Sequence, residues 1–531
     1  MSDDAISDYY SDEEMEYNYS DPEQDGDDAD LENEEEEDYA QFTPAVLGKR
    51  PLPWEVEYES LEPDKLREIV NKDVEHVAGI FGVEPEIARA LLRHYKWNKE
   101  RLIEQYMDGP ERVLAAAGLP AQSGLPSFSN SRSLAATKKP ATKSKSFSCP
   151  ICASTQPGES AMALPCGHTF CSECWEMYIT SKIKDEGECD VRCMEEGCAI
   201  RIPTAWMKKL LDSHTYARYQ ELLLAAYVAD NRNFEFCPFP SCDLTVMTPN
   251  FSPTPSALST TVPTVHCGHG HTFCFGCGEQ QDHRPLICAV VKMWLRKCAD
   301  DSETANWIKS NTKECPKCVS TIEKNGGCNH MTCKKCKHEF CWVCMGPWTE
   351  HGTAWYNCNR YDEKAGVDAR DAQSRSRASL ERYLHYYNRY ANHEQSARLD
   401  RELYAKTEKK MEEMQIASEL TWIEVQFAKR AVDELVRCRT TLKWTYAMAF
   451  YLEKNNETIM FEDNQRDLER AVEELSELLE SPIEPMTITE LRSKMTNLTV
   501  YVQKRNEIML NDTAQKYQDG AWIWNVSVPD F

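Results

Sequence analysis

The side chains best equipped for chemistry in this chain are thiols and imidazoles, 24 cysteines and 13 histidines. Most cysteines come in short pairs, a spacing at which one turn brings two thiolates onto a single zinc ion. Three consecutive sets of eight ligands can be read. The first is Cys149, Cys152, Cys166, His168, Cys171, Cys174, Cys193 and Cys198. The second is Cys237, Cys242, Cys267, His269, Cys274, Cys277, His283 and Cys288. The third is Cys315, Cys318, Cys333, Cys336, Cys341, Cys344, His351 and Cys358. Together these 20 cysteines and four histidines fill six tetrahedral Zn2+ sites with protein ligands, so the ions are expected to be structural. Cys189 competes with Cys193, His271 competes with His269, and His266 is a more distant candidate.

The sets leave Cys189, Cys298, Cys328 and Cys438 unassigned. Cys298 falls in a helical stretch and Cys438 on an apolar stripe, so both read as structural. Cys328 differs. It sits in "EKNGGCNHMTC", where Gly326 and Gly327 remove side-chain bulk and allow a large reactant to come close. His330 lies two residues on. A thiol with an ordinary pKa of about 8.5 is only a few per cent thiolate at neutral pH, so a neighbouring base is useful. Cys328 with His330 is therefore a candidate nucleophile and base. The plain alternative is a spare loop thiol beside a zinc-adjacent histidine.

Several elements must position these residues. The length of 531 residues suggests three or four domains. Residues 3–38 hold 19 acidic side chains and no Lys or Arg, a composition that cannot bury a core. Residues 66–108 read as about three short helices, with "DGP" as a stop signal. A Ser/Thr/Ala/Pro-rich linker follows. Further helical stretches lie near 203–229 and 286–310. Residues 367–481 contain neither Gly nor Pro, which favours long helices. Within them Val425, Ala428, Val432, Leu435, Cys438, Leu442, Tyr446 and Ala449 form one buried face.

Composition narrows the function. The acidic start lacks a secretory apolar stretch, and no run approaches the ~18 apolar residues of a membrane span. A cytoplasmic protein without a membrane partner is expected. Lys138, Lys139, Lys143 and Lys145 read either as a nuclear address or as a solubilising linker. In a reducing compartment so many thiols point to metal rather than disulfides. A net charge of −27 also argues against a general nucleic-acid binder.

The three octets, with the unpaired cysteine of "GGCNH" between the second and third ligands of the last, Cys318 and Cys333, resemble the RING-between-RING (RBR) family of E3 ubiquitin ligases. "HGTAWYNCNRY" and "WIEVQF" look like its Ariadne subfamily, Ariadne-1 type, and the likeness runs from about residue 66 to the C-terminus. The fold class expected is multidomain, with small zinc-stabilised α+β modules (RING1, IBR, and RING2 or Rcat). An all-α UBA-like bundle and an all-α C-terminal Ariadne domain complete it. The expected divisions are an acidic tail (1–60), the UBA-like bundle (61–115) and a linker (116–146), then RING1 (147–202) and a helical linker (203–231). The IBR module (232–290), another helical linker (291–312), RING2 (313–360) and the Ariadne domain (361–531) follow.

The resemblance implies a relay. RING1 would bind a ubiquitin-loaded E2, with Ile151 of "CPIC" pressed into it. Ubiquitin would pass to Cys328 and then to a lysine of a protein substrate. His330 would serve as base, Glu339 of "KHEF" would orient it, and Asn329 is a weaker positioning candidate. The resemblance also implies an inhibitory Ariadne domain, with Leu399, Asp400 and Glu473 on its inhibitory face. Leu399 departs from the phenylalanine found there in close relatives. Release by a cullin-RING ligase carrying a ubiquitin-like modifier would follow, with the apolar "GIFGV" of the UBA-like bundle as a modifier-binding or core segment. Two other readings are a RING-only scaffold without a thioester intermediate and a non-catalytic zinc-rich adaptor.

Overall fold

The structure is a computed structural model that describes residues 52, 54–119, 146–157, 160–300, 312–324, 326–351, 358, 360–361, 372–418, 426–480 and 488–529. The acidic segment at 3–38 and the lysine cluster lie outside these residues.

The three helices expected over residues 66–108 are present, and a fourth follows them. After strand β1 (Glu59–Leu61) come α1 (Pro63–Phe81), α2 (Pro85–His94), α3 (Lys99–Asp108) and α4 (Pro110–Ala116). "DGP" ends α3 and starts α4, because proline at the first helical position gives up an N–H that would have no partner anyway. The expected tail boundary at residue 60 also needs correction. Glu59–Leu61 pairs antiparallel with β7 (Thr245–Met247) of the second zinc module, so the chain entering the bundle covers that sheet's edge.

The first zinc module consists of β2 (Ser146–Ser148), β3 (Thr155–Pro157), β4 (Ala161–Ala163), β5 (Thr169–Cys171) and α5 (Ser172–Lys184). Helices α6 (Thr204–Leu210) and α7 (Ser213–Asp230) lead away from it. Leu224, Tyr227 and Val228 of α7 join the core of the amino-terminal bundle. The second module contains β6 (Phe234–Phe236), β7, α8 (Pro255–Leu258), β8 (Thr264–His266) and β9 (Thr272–Cys274), and runs into α9 (Cys288–Asp300).

The third module is two hairpins, β10 (Thr312–Glu314) with β11 (Thr321–Glu323) and β12 (His330–Thr332) with β13 (Glu339–Cys341). The carboxyl-terminal domain is α10 (Ala372–Ser418), α11 (Gln426–Tyr451), α12 (Asn456–Glu480) and α13 (Ile488–Gln518). The stripe read from the sequence is buried on α11 from Ala428 to Ala449; Val425 lies outside the described residues.

Two kinds of seam join the modules. Trp294 of α9 is wholly buried among Tyr383, Tyr387, Tyr390, Phe450 and Tyr451 of the helical domain. That seam is apolar and part of one core, and a large aromatic side chain contributes much of such a contact. The third module is different. Among the described residues, no side chain of 312–351 joins that core. Its contact with the helical domain is made of hydrogen bonds and charges.

Candidate functional site

The metal-ligand clusters hold the loops that carry everything else. Among the groups whose donor atoms lie within 4.8 Å of one another are five sets of four. They are Cys149/Cys152/Cys171/Cys174, Cys166/His168/Cys193/Cys198, Cys237/Cys242/Cys267/His271, Cys274/Cys277/His283/Cys288 and Cys315/Cys318/Cys333/Cys336. Zn–S bonds of about 2.3 Å in a tetrahedron separate sulfurs by about 3.8 Å. The Sγ–Sγ distances fit that edge: 3.8 Å for Cys149–Cys174 and for Cys166–Cys193, 3.9 Å for Cys242–Cys267 and 3.6 Å for Cys315–Cys336. These contacts are therefore better understood as co-ligand separations than as thiol hydrogen bonds. His283 faces the thiols of its cluster through Nε2 while its Nδ1 donates to the Leu286 carbonyl at 2.7 Å, which orients the ring. The donor sets thus fit structural zinc.

The turns that build these sites share one geometry. After the second cysteine of a pair, Ala153, Val319, Lys337 and Met345 all adopt left-handed backbone angles, φ between 54° and 61°. Each donates its N–H back to the first cysteine's carbonyl, at 2.8–2.9 Å. Non-glycine residues rarely hold this conformation. Metal binding is strong enough to stabilise it.

One expected ligand is corrected. His271 rather than His269 completes the second module's first cluster, with Nδ1 at 3.4 Å from both Cys237 and Cys267 Sγ. The Cys-x-His spacing of the first module does not carry over. Here Gly270, at φ 81°, turns the chain, leaving His269 exposed at the tip, 3.5 Å from Cys242 Sγ. His271 returns to stack on Phe239 at 4.4 Å. Cys189 stays outside the clusters, half-buried against Arg93. Cys341, Cys344 and Cys358 come together in the third module, whereas the side chain of His351 lies outside the described residues.

Cys328 belongs to none of the five clusters above. It lies in the loop between β11 and β12 and is 5% exposed. Burial pushes its thiol well above the ordinary range, and the carboxylates of Glu473 and Glu480 add to the shift. His330 begins β12. Its backbone N–H points to Cys328 Sγ at 3.4 Å, and its ring lies flat on Trp348 at 4.2 Å. The β12–β13 register makes His330 and Glu339 diagonal neighbours on one face. His330 Nε2 is 3.6 Å from Glu339, while Nδ1 is 3.5 Å from Glu477 of the helical domain. Ile151 sits in the first module, 59% exposed.

The helical domain closes over this loop. Glu480 accepts the Cys328 N–H at 3.1 Å. Glu473 accepts from Asn329 N–H at 2.6 Å and from its side-chain amide at 2.8 Å. Arg439 donates to Asp400 at 2.7 Å and to Glu473 at 2.9 Å, with all three side chains buried. Burial alone would raise both carboxyls. Arg439 and Lys324 reverse this for Glu473, which ends below its ordinary value, whereas Asp400 stays above its own. Leu399 is half-buried on α10 beside Asp400. The two glycines explain how close the approach is. A Cβ on Gly327 would lie 2.0 Å from Asp400 Oδ1, and one on Gly326 would lie 2.4 Å from Glu480 Oε2. Glycine here admits the domain's carboxylates, a role the sequence assigned to an incoming reactant.

Lys324 was not singled out in the sequence. Its buried ammonium donates to Gly327 O at 3.1 Å and Asn329 Oδ1 at 3.0 Å within the loop. It also donates to Asn392 Oδ1 at 3.2 Å and Ser396 Oγ at 2.8 Å on α10. Burial lowers its pKa to about 8, with Arg439 adding to the effect. A lysine four residues before a loop thiol carries no sequence pattern, and neither do Asn392, Ser396 or Arg439 on long helices. Their roles come from tertiary contact alone.

A third zinc-built hairpin presenting Cys328, joined to two further zinc-built modules and a helical cover, defines a multi-module architecture of the RING type. Matches to known families agree along the chain. Residues 68–108 match the UBA-like domain of the E3 ubiquitin-protein ligase ARIH1. Residues 149–195 match a C3HC4-type RING zinc finger, and 217–288 the IBR domain, a half RING-finger domain. Residues 310–359 match a second IBR model and 381–511 the Ariadne domain. The chain is 49% identical over 485 residues to the E3 ubiquitin-protein ligase dbl4 of Schizosaccharomyces pombe, covering 91% of this chain and 92% of the relative. It is 42% identical to E3 ubiquitin-protein ligase ariadne-1 of Drosophila melanogaster, over 88% of this chain and 90% of the relative. It is 43% identical to Homo sapiens E3 ubiquitin-protein ligase ARIH1, over 88% and 81% respectively. The chain belongs to the Ariadne family of RING-between-RING E3 ubiquitin-protein ligases and is a ubiquitin transferase.

Proposed function

We propose that this ligase takes ubiquitin from an E2 thioester onto Cys328 and then passes it to a substrate lysine. The helical domain holds the resting enzyme closed. The observation that carries this reading is the position of Cys328: outside the five clusters named above, in a glycine-flanked loop, and covered by a polar seam that can separate without breaking a core.

In the first step the Cys328 thiolate attacks the thioester carbonyl carbon. The new S–C bond forms as the E2 cysteine leaves as thiolate, so one thioester replaces another and little driving force is needed. Positioning is the main demand, and proximity can supply several kcal/mol of barrier. Exposed Ile151 is the E2 contact. In the second step a substrate amine attacks the same carbonyl, His330 removes the amine's proton, and Cys328 leaves as thiolate. Trp348 holds the imidazole plane while Glu339 faces Nε2. Zinc, six ions in this reading, holds the loops and takes no part in either step.

In the closed arrangement Cys328 is buried beneath the helical domain, so neither step can proceed. A partner that binds only the open arrangement shifts the balance. A cullin-RING ligase carrying a ubiquitin-like modifier is the partner class proposed, and the reducing cytoplasm or nucleus is the proposed location. The discriminating test against a RING-only scaffold is single-turnover discharge of a ubiquitin-loaded E2. Cys328→Ala should abolish transfer to lysine. Undiminished transfer by that variant would favour the scaffold.

A further inference from the structure

A cavity of about 330 Å³ lies between the amino-terminal bundle and helices α6 and α7. It is far from neutral. Arg67, Arg89 and Arg93 line it, with Asn71, Tyr216 and Gln220 as neutral polar groups, and Glu86 is the one acidic residue of its lining. The excess extends behind the wall. Asp190 is shared by three guanidiniums, Arg93 at 3.3 Å, Arg192 at 3.6 Å and Arg201 at 2.8 Å. Arg67 pairs with Asp64. Counting these neighbours, five arginines face three carboxylates, in a chain whose net charge is −27.

Arg89 carries the argument. It is half-buried, and its hydrogen bond goes to the neutral Asn71 Oδ1 at 2.9 Å. Among the described residues no carboxylate pairs with it. Burial lowers its pKa, the direction expected of a cation short of counter-charge. A half-buried guanidinium whose hydrogen bond goes to a neutral group is short of counter-charge, and its fork of donors matches the oxygens of a phosphate. The unbalanced charge, about two positive, matches in size and opposes in sign that of a phosphomonoester near neutral pH.

We propose that this cavity is a binding site for a phosphomonoester, held by Arg89 with Arg67 and Arg93. Its place between the amino-terminal bundle and the helix leading from RING1 to the IBR module means that a bound phosphate would tie these parts together. The same chemistry could be presented by a small phosphate ester or by a phosphorylated serine of a protein.

The test is calorimetric titration of the full-length chain with inorganic phosphate, O-phosphoserine and a phosphoserine peptide, with serine and glutamate as controls. The proposal expects saturable binding of the phosphate compounds and none of serine. Tighter binding of the peptide than of O-phosphoserine identifies a protein source, and equal binding a small ester. Arg89→Gln should weaken binding roughly tenfold or more, because it removes charge-assisted hydrogen bonds. Gln220→Glu leaves every arginine in place but sets a carboxylate in the cavity, and it should weaken binding similarly. Absence of saturable phosphate binding, glutamate binding as tightly as phosphate, or unchanged affinity in folded Arg89→Gln or Gln220→Glu protein overturns the proposal.

Discussion

Asn329 and Glu473 are joined twice, by the Asn329 backbone N–H at 2.6 Å and its side-chain amide at 2.8 Å. The residue next to Cys328 is thereby fixed to a helix of another domain. Glu473→Gln keeps the shape and removes the charge. Hydrogen bonds to charged groups contribute about 1.5–3 kcal/mol, so closure should weaken by roughly 10- to 100-fold. Single-turnover discharge of ubiquitin from E2 should accelerate correspondingly. An unchanged rate would mean that this contact does not restrain the enzyme.

Gly327 tests the same seam from the other side. Its substitution by alanine places a Cβ 2.0 Å from Asp400 Oδ1. Discharge by Gly327→Ala should therefore exceed that of the unmodified chain. In an Asp400→Ala background the same substitution should add almost nothing, because the clashing oxygen is gone. Equal effects in both backgrounds would place its action elsewhere.

The thiol supplies a pH prediction. The closed arrangement raises the Cys328 pKa, so it binds a proton that an opened loop releases. That contribution to closure is complete below the ordinary thiol value of about 8.5 and is lost as pH rises toward the higher closed value. Lys324 acts in the opposite sense. Its pKa is lowered to about 8, so its contribution favours closure increasingly from there toward its ordinary value. Alkylation of Cys328, followed by peptide mass spectrometry, should be slow and still rising above pH 9 in the full chain. In Lys324→Met it should be faster and level off near the ordinary thiol value. Identical profiles would separate thiol reactivity from closure.

Zinc removal tests the scaffold. Elemental analysis should find six zinc ions per chain. A strong chelator should abolish ordered structure in the three modules, because each structural site supplies roughly 10–16 kcal/mol in comparable small domains. The helical domain, whose helices pack on one another around Leu435, Leu442 and Phe461, should keep its helical circular dichroism. Four ions or fewer would revise the ligand sets.

How much of this was legible in the sequence depends on the range of the interaction. Zinc pairs are local, so Cys149 with Cys152 or Cys315 with Cys318 can be read from spacing. His269 and His271 differ only by how Gly270 turns the chain, which spacing does not encode. The α11 stripe was readable because helical periodicity is local too. The fourth helix was hidden by a proline that starts an element as readily as it ends one. Trp348 under His330, and Lys324 between Asn329 and Ser396, arise from folding at a distance. No short-range pattern announces them.

The relay itself is tested most directly by trapping its intermediate. Cys328→Ser combined with Glu473→Gln replaces the thiol with a hydroxyl and loosens the cover. Incubated with ubiquitin-loaded E2, this variant should accumulate a one-to-one ubiquitin adduct. The bond should resist thiol reductant and yield to mild alkali, as an oxyester does, and tandem mass spectrometry should place it on residue 328. No adduct there, together with normal lysine transfer by Cys328→Ala, would contradict the account.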